Sequence, residues 1–243
     1  MDQLTNSEQN EVKNRRRINI TADLLRPNQY TLALNGEYAS VAFDEQRVLK
    51  NKGNWRSQVF GSAESTPMDF EMGTGNGTHF AYRAHGSPER LIVGMELKYK
   101  PLIQSIRRAK QNNINNNAAI CRFHGFDISE VFAENEINNV YIHFPDPWVT
   151  PKKPKNRIVN RDFLQTLAGL QRSDSWVEFK TDSEEYFDWA LLEIEQSPYQ
   201  IETMTRDLHS SPQAEGNFVT QFENIFLRKG QPIFHTRLRK KQN

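Results

Sequence analysis

The chain has 243 residues with 31 basic and 30 acidic side chains, a formal charge of +1, and 37% hydrophobic against 25% charged residues. That balance supports a real core and excludes global disorder, and the near-neutral total means that a polyanionic partner has to be met by local clustering of charge. A single cysteine, Cys121, excludes an internal disulfide, and no apolar run approaches the roughly 18 residues that span a bilayer; the expectation is a cytoplasmic protein with no membrane association.

Residues 1 to about 17 are polar and end in Arg15-Arg16-Arg17, which reads as a flexible arm with little to bury. Residues 18–66 hold two strand-like pieces, Tyr30 to Leu34 and Ala39 to Phe43, and no clear pattern otherwise. The chain is therefore expected to divide into an arm and extension over 1–50 and one domain over 51–243. From Pro67 the order becomes regular. Met68 to Met72 reads as a strand, Gly73-Thr74-Gly75-Asn76-Gly77 as a tight loop, and Thr78 to Ala84 as the start of a helix. Arg90 to Glu96 is a second strand, Pro101 to Asn112 a helix, and Asn112 to Asn117 a polar loop. Further strands are expected over Ala118 to Phe123, Asn139 to Phe144, Trp176 to Lys180, Tyr199 to Met204 and Pro232 to Leu238. Helices are expected over Arg161 to Leu170, Glu184 to Gln196 and Phe218 to Leu227. Strand and helix alternate, so the fold class is α/β, a doubly wound, mostly parallel seven-stranded sheet with helices on both faces.

Such sheets bind ligands beyond the carboxyl ends of their strands, and Glu71, Glu96, Asp146 and Asp182 all fall there. The glycines at 73, 75 and 77 let backbone approach a ligand closely, but their spacing departs from the dinucleotide fingerprint G-x-G-x-x-G. Glu71, two positions before the first glycine, would repel a pyrophosphate and attract an amino group or a sulfonium. That tilts the cofactor from NAD toward S-adenosylmethionine. Glu96 sits where a carboxylate accepts hydrogen bonds from both ribose hydroxyls of a nucleoside, and Asp127, past the third strand, is placed to accept one from an adenine amino group. In Phe144-Pro145-Asp146-Pro147-Trp148 two prolines hold an aspartate rigidly beside an indole, a relative of the Asn/Asp-Pro-Pro-aromatic loops that hold a base beside a methyl donor. A basic run, Lys152, Lys153, Lys155 and Arg157, follows. The six histidines and Cys121 show no metal-ligand spacing, so no metal is expected.

Taken together, Phe70 to Gly77, Gly94-Met95-Glu96-Leu97, Phe144 to Trp148, the run ending Arg157-Ile158-Val159, Thr181-Asp182 and Thr220-Gln221-Phe222-Glu223 resemble the bacterial tRNA (guanine-N7-)-methyltransferases. Asp207-Leu208-His209, Glu215-Gly216-Asn217 and Gly230-Gln231-Pro232-Ile233 extend the resemblance, which covers roughly 52–236. It implies a Rossmann-like class I methyltransferase fold, S-adenosylmethionine as donor, and a guanine in the variable loop of tRNA as acceptor. By position it implies that Glu71, Gly73, Gly75, Glu96, Asp127 and Asp146 line the cofactor and reaction site, with Asp146 the residue at the reacting base. Asp182, Thr220, Gln221, Phe222 and Glu223 would hold the substrate nucleotide, and Lys152, Lys153, Lys155 and Arg157 would meet RNA phosphates. Two departures concern RNA contacts: Thr150 stands where the family carries a substrate-contacting Lys, and Asn156 replaces one of a customary Arg pair. A monomer or a homodimer is compatible with the family. The competing readings are an NAD(P)-dependent oxidoreductase, opposed by Glu71, and an RNA-binding module without catalysis, opposed by the intact Glu71, Glu96 and Asp146.

Overall fold

The computed structural model describes residues 18–111, 116–149 and 156–241. The first strand, β1 (Ala42–Phe43), is short, and the next five carry the core: β2 (Met68–Met72), β3 (Leu91–Met95), β4 (Ala118–Cys121), β5 (Val140–His143) and β6 (Trp176–Thr181). The chain closes with β7 (Tyr199–Thr205) and β8 (Phe234–Lys240). The order across the sheet is β1-β4-β3-β2-β5-β6-β8-β7. The pairs from β1 to β6 are parallel, and β8 runs antiparallel to both β6 and β7.

Period-2 alternation divides the strand residues between two faces. Phe70, Val93, Cys121, Ile142 and Phe179 join one apolar cluster. Against them pack α4 (Arg161–Leu170), through Phe163, Leu164 and Leu167, and α5 (Glu184–Glu195), through Phe187 and Ala190. Asn160 and Ser183 start these two helices by accepting hydrogen bonds from the Phe163 and Tyr186 N–H groups. On the other face Ile92 and Ile120 meet α1 (Gln29–Asn35), α2 (Thr78–Gly86) and α3 (Tyr99–Lys110), through Leu34, Phe80 and Ile103. Toward β5, β6 and β8 this second face turns polar. Glu71, Tyr141, Glu178 and Arg237 are successive register partners, and beside them run His143, Lys180 and His235.

The sheet has an eighth strand beyond the seven expected, because Ala42–Phe43 extends its edge against β4. The stretch from Tyr30 to Leu34 is helical. Asn28 accepts hydrogen bonds from the Tyr30 and Thr31 N–H groups, and the Thr31 hydroxyl answers the Asn28 N–H, a capping box that overrides the β preference of the residues behind it. Across residue 50, Leu34 and Ala42 are fully buried in the same cluster as Phe80 and Ile103. The arm over 1–17 lies outside the described residues. Among the described residues no helix is long and apolar enough to cross a membrane. Successive connections leave β2 toward β3 on one side and reach β5 on the other, so a crevice opens between β2 and β5 at their carboxyl ends.

Candidate active site

That crevice is a cavity of about 640 Å³, within the range of cofactor and ligand sites. The glycine loop forms one wall. Gly73 and Thr74 donate their N–H groups to the Met95 carbonyl at 2.8 and 3.2 Å, tying the loop to the end of β3. Gly77 begins α2 at φ +78°, and a Cβ there would stand 2.3 Å from the Ser105 Cα, so only glycine lets α2 approach α3 this closely. Glu96 accepts the Lys98 N–H on one oxygen at 2.9 Å and the Gly75 N–H on the other at 3.1 Å. Burial raises its pKa, opposed by those backbone hydrogen bonds. The result is a fixed acceptor at the end of β3 whose further lone pairs can meet a pair of hydroxyls.

Glu71 forms part of the floor. It is buried, and its Oε2 lies 2.8 Å from Nδ1 of His79, in the first turn of α2. Its neighbour there is His143, whose ring centroid is 4.5 Å from that of His79. Burial, together with Lys180 and His79, pushes the His143 pKa down to about 3 against the opposing pull of Glu178, so the ring is neutral at ordinary pH. Its Nε2–H donates to Glu178 Oε1 at 2.8 Å. A second wall is Phe123 to Phe126, where the rings of His124 and Phe126 stack 5.7 Å apart.

The loop after β5 faces this floor. Phe144, at φ +51°, ends the strand with its N–H on the Lys180 carbonyl at 2.8 Å; Trp148 follows at φ +44°. Two non-glycine residues in left-handed backbone, at a cost on the order of 1–3 kcal/mol each, bracket Pro145-Asp146-Pro147 and aim Asp146 at the cavity. Opposite stands α6 (Gln221–Leu227), docked by ring stacking of Phe222 and Phe226 on Phe144 at 6.3 and 5.8 Å. Phe222 remains 52% exposed and presents an aromatic face at the mouth. The cavity thus has carboxylates fixed at one end and a rigid Asp beside aromatic walls at the other.

The family model described as "Putative methyltransferase" matches residues 65–236, the whole of this arrangement. A tRNA (guanine-N(7)-)-methyltransferase from Bdellovibrio bacteriovorus is 59% identical over 86% of this chain and 100% of its own length. The enzyme of that name from Lachnoclostridium phytofermentans is 32% identical over 76% of this chain and 84% of its own. The chain belongs to the tRNA (guanine-N(7)-)-methyltransferase family. Among solved structures, an antibiotic-related methyltransferase aligns with a TM-score of 0.53 at 18% identity, over 74% of this chain and 88% of its own, which shows a shared fold.

Within this methyltransferase the expected residues separate. Glu71, Gly73, Gly75, Glu96, Asp146, Thr220, Gln221 and Phe222 line the cavity together. Asp127 sits in the 3-10 turn Gly125–Glu130, just behind the lining residue Phe126, and Asp182 lies at the end of β6; neither is among the lining residues. Burial raises the Asp182 pKa, with Lys229 opposing. Thr150, Lys152, Lys153 and Lys155 fall outside the described residues.

Two of the expected residues are enclosed. Glu223, expected to hold the substrate nucleotide, is fully buried. It forms a capping box with Thr220 at the start of α6 and meets Lys180 at 3.5 Å and His209 at 2.8 Å, holding the helix on the sheet. Arg157, expected to meet RNA phosphates, is 1% exposed: its side chain turns inward while its neighbours Asn156 and Ile158 line the cavity. Sequence reasoning did not single out His79 and His143. Both lie close in sequence to expected site residues, yet only the folded sheet shows that they share a floor.

Proposed function

We propose that this protein transfers the methyl group of S-adenosylmethionine to N7 of a guanine in the variable loop of tRNA, in the cytoplasm. The observation that carries the reading is the one cavity lined at once by Glu71 and Glu96, at the ends of neighbouring strands, and by Asp146 on the rigid loop after β5. The residues present suit the donor. Glu96 is a preorganised acceptor for ribose hydroxyls, Glu71 is a buried carboxylate matched to a cationic amino acid end, and a Cβ built on Gly73 meets no atom within 4 Å, which leaves space above the loop. When bound, S-adenosylmethionine supplies an electrophilic methyl carbon whose sulfur departs as a neutral thioether.

The acceptor side follows from the chemistry of guanine. N7 carries a lone pair and no proton, so its methylation requires no general base, and rate comes from alignment and electrostatics. Asp146 accepts hydrogen bonds from the N–H groups of the guanine Watson–Crick edge and orients N7. Phe222 and Trp148 wall the same end of the cavity and offer stacking surface, worth about 1–3 kcal/mol per base in single-strand binders. The relatives' names support tRNA as the acceptor.

The test incubates the purified protein with methyl-labelled S-adenosylmethionine and bulk tRNA, then maps the labelled nucleoside. Label in N7-methylguanosine at one variable-loop position is expected. Label in another nucleoside, or none, overturns the proposal.

A further inference from the structure

Arg157 was expected among the RNA contacts, yet its side chain is enclosed. Its Nε donates to the Pro147 carbonyl at 2.7 Å and Nη2 donates to Glu185 Oε1 at 2.7 Å. The guanidinium carbon stands 5.2 Å from the ring centres of both Tyr186 and Trp189, which with Glu185 belong to α5. A buried cation is costly unless its donors and charge are matched, and here a carboxylate, a carbonyl and two aromatic faces match it. The carbonyl chosen is that of the residue between Asp146 and Trp148, in the loop whose ends are held at φ +51° and +44°. Tyr186 fixes the other side of Arg157, since its hydroxyl accepts the Val159 N–H at 2.9 Å.

We propose that Arg157 is a positioning residue for methyl transfer: it clamps the Pro147 carbonyl to α5 and thereby sets Asp146 in the cavity, without touching RNA. The inference rests on the reading of Asp146 as the residue that orients the target base. A planar fork is required, because Nε and Nη2 point to different acceptors, and an ammonium cannot reproduce that geometry.

The test uses the full chain with Arg157→Lys and Arg157→Gln, and Glu185→Gln as a milder variant that still reports if either Arg157 change prevents folding. Expected for Arg157→Lys is a fall in kcat of about 100-fold, the scale on which misplacement near 1 Å acts, with the KM for tRNA and its salt dependence unchanged. Hydrogen exchange read on residues 143–149 of the free protein should accelerate, while exchange in α2 and α3 and the affinity for S-adenosylhomocysteine stay as in the wild type. Glu185→Gln should show the same pattern at smaller amplitude.

A phosphate contact predicts the reverse: Arg157→Lys keeps near-normal kcat, and Arg157→Gln raises the tRNA KM and lowers the salt slope by about 1. That result overturns the proposal, as does unchanged exchange over 143–149 in every variant that folds. Faster exchange there with full turnover leaves the clamp standing and sinks the role given to Asp146, so the two failures are separable.

Discussion

Nδ1 of His79 lies 2.8 Å from Oε2 of Glu71, and the two side chains meet from opposite ends of the glycine loop, one on α2 and one on β2. The pair fixes the orientation of the buried carboxylate before any ligand arrives. His79→Leu is expected to raise the Kd for S-adenosylhomocysteine about 10-fold, near 1.4 kcal/mol, and Glu71→Gln to raise it further. Calorimetric titration checks both, and an unchanged Kd in His79→Leu would show that Glu71 holds its place unaided.

Asp146→Ala removes the acceptor and leaves both prolines. Turnover on tRNA is expected to fall at least about 100-fold, comparable with the loss of one preorganised group, while S-adenosylhomocysteine binds with near-native affinity. Single-turnover kinetics beside a binding titration separate the two quantities. Near-native turnover would remove Asp146 from the site.

Gly77 and Gly73 form a contrasting pair. At Gly77 an added Cβ meets the Ser105 backbone at 2.3 Å, whereas at Gly73 it meets nothing within 4 Å. Gly77→Ala should therefore destabilise the fold by about 3 kcal/mol, overpacking added to a positive φ, and Gly73→Ala by only about 1 kcal/mol. Denaturant unfolding gives both values, and equal losses would contradict the tight contact between α2 and α3.

The polar layer beneath the site makes stability depend on pH. Native His143 takes a proton only near pH 3, against an ordinary value of 6.5, so between those values the unfolded chain binds a proton that the folded one does not. Stability is then lost as pH falls from about 6.5, by up to about 1.4 kcal/mol per pH unit from this group. Glu178 acts in the same direction at lower pH. Burial opposes its ionised form, yet the hydrogen bonds from His143 and His235 hold its pKa well below the usual carboxylate range. His143→Gln keeps a donor for Glu178 and removes the titration. Its stability should be flatter than that of the wild type between pH 6.5 and 5, as measured by urea unfolding at each pH.

The frame of the molecule was legible because its strands are short apolar runs and its helices carry local caps. Met68–Met72 and Arg161–Leu170 match the expected elements residue for residue. The cavity was legible for a related reason: a doubly wound sheet opens its crevice beyond the carboxyl ends of its strands, and Glu71 and Glu96 at two of those ends line it, whereas Asp182 at the end of β6 does not. The enclosure of Arg157 was not legible, because a run of basic residues looks like a solvated surface, and the aromatic rings that enclose it lie about thirty positions later, on a helix whose face cannot be read locally. The burial of Glu223 was hidden differently: with Thr220, which does line the cavity, it has the spacing of a capping box, which the letters alone contain, but the likeness to a substrate motif took precedence over the local hydrogen bonds.

The position of β8 between β6 and β7 has a consequence for the order of assembly. When β7 leaves the ribosome it has no neighbour to pair with, because among the described residues its one partner in the sheet is the strand that follows it and ends at Lys240. Parallel pairing from β1 to β6 can form during synthesis, but Tyr199–Thr205 waits unpaired until the chain through Phe234–Lys240 has emerged. The segment between carries α6, whose Phe222 walls the cavity. A nascent chain can thus hold the glycine loop and Glu96 in place while the far wall is still open, so the donor end of the cavity forms before the acceptor end is closed.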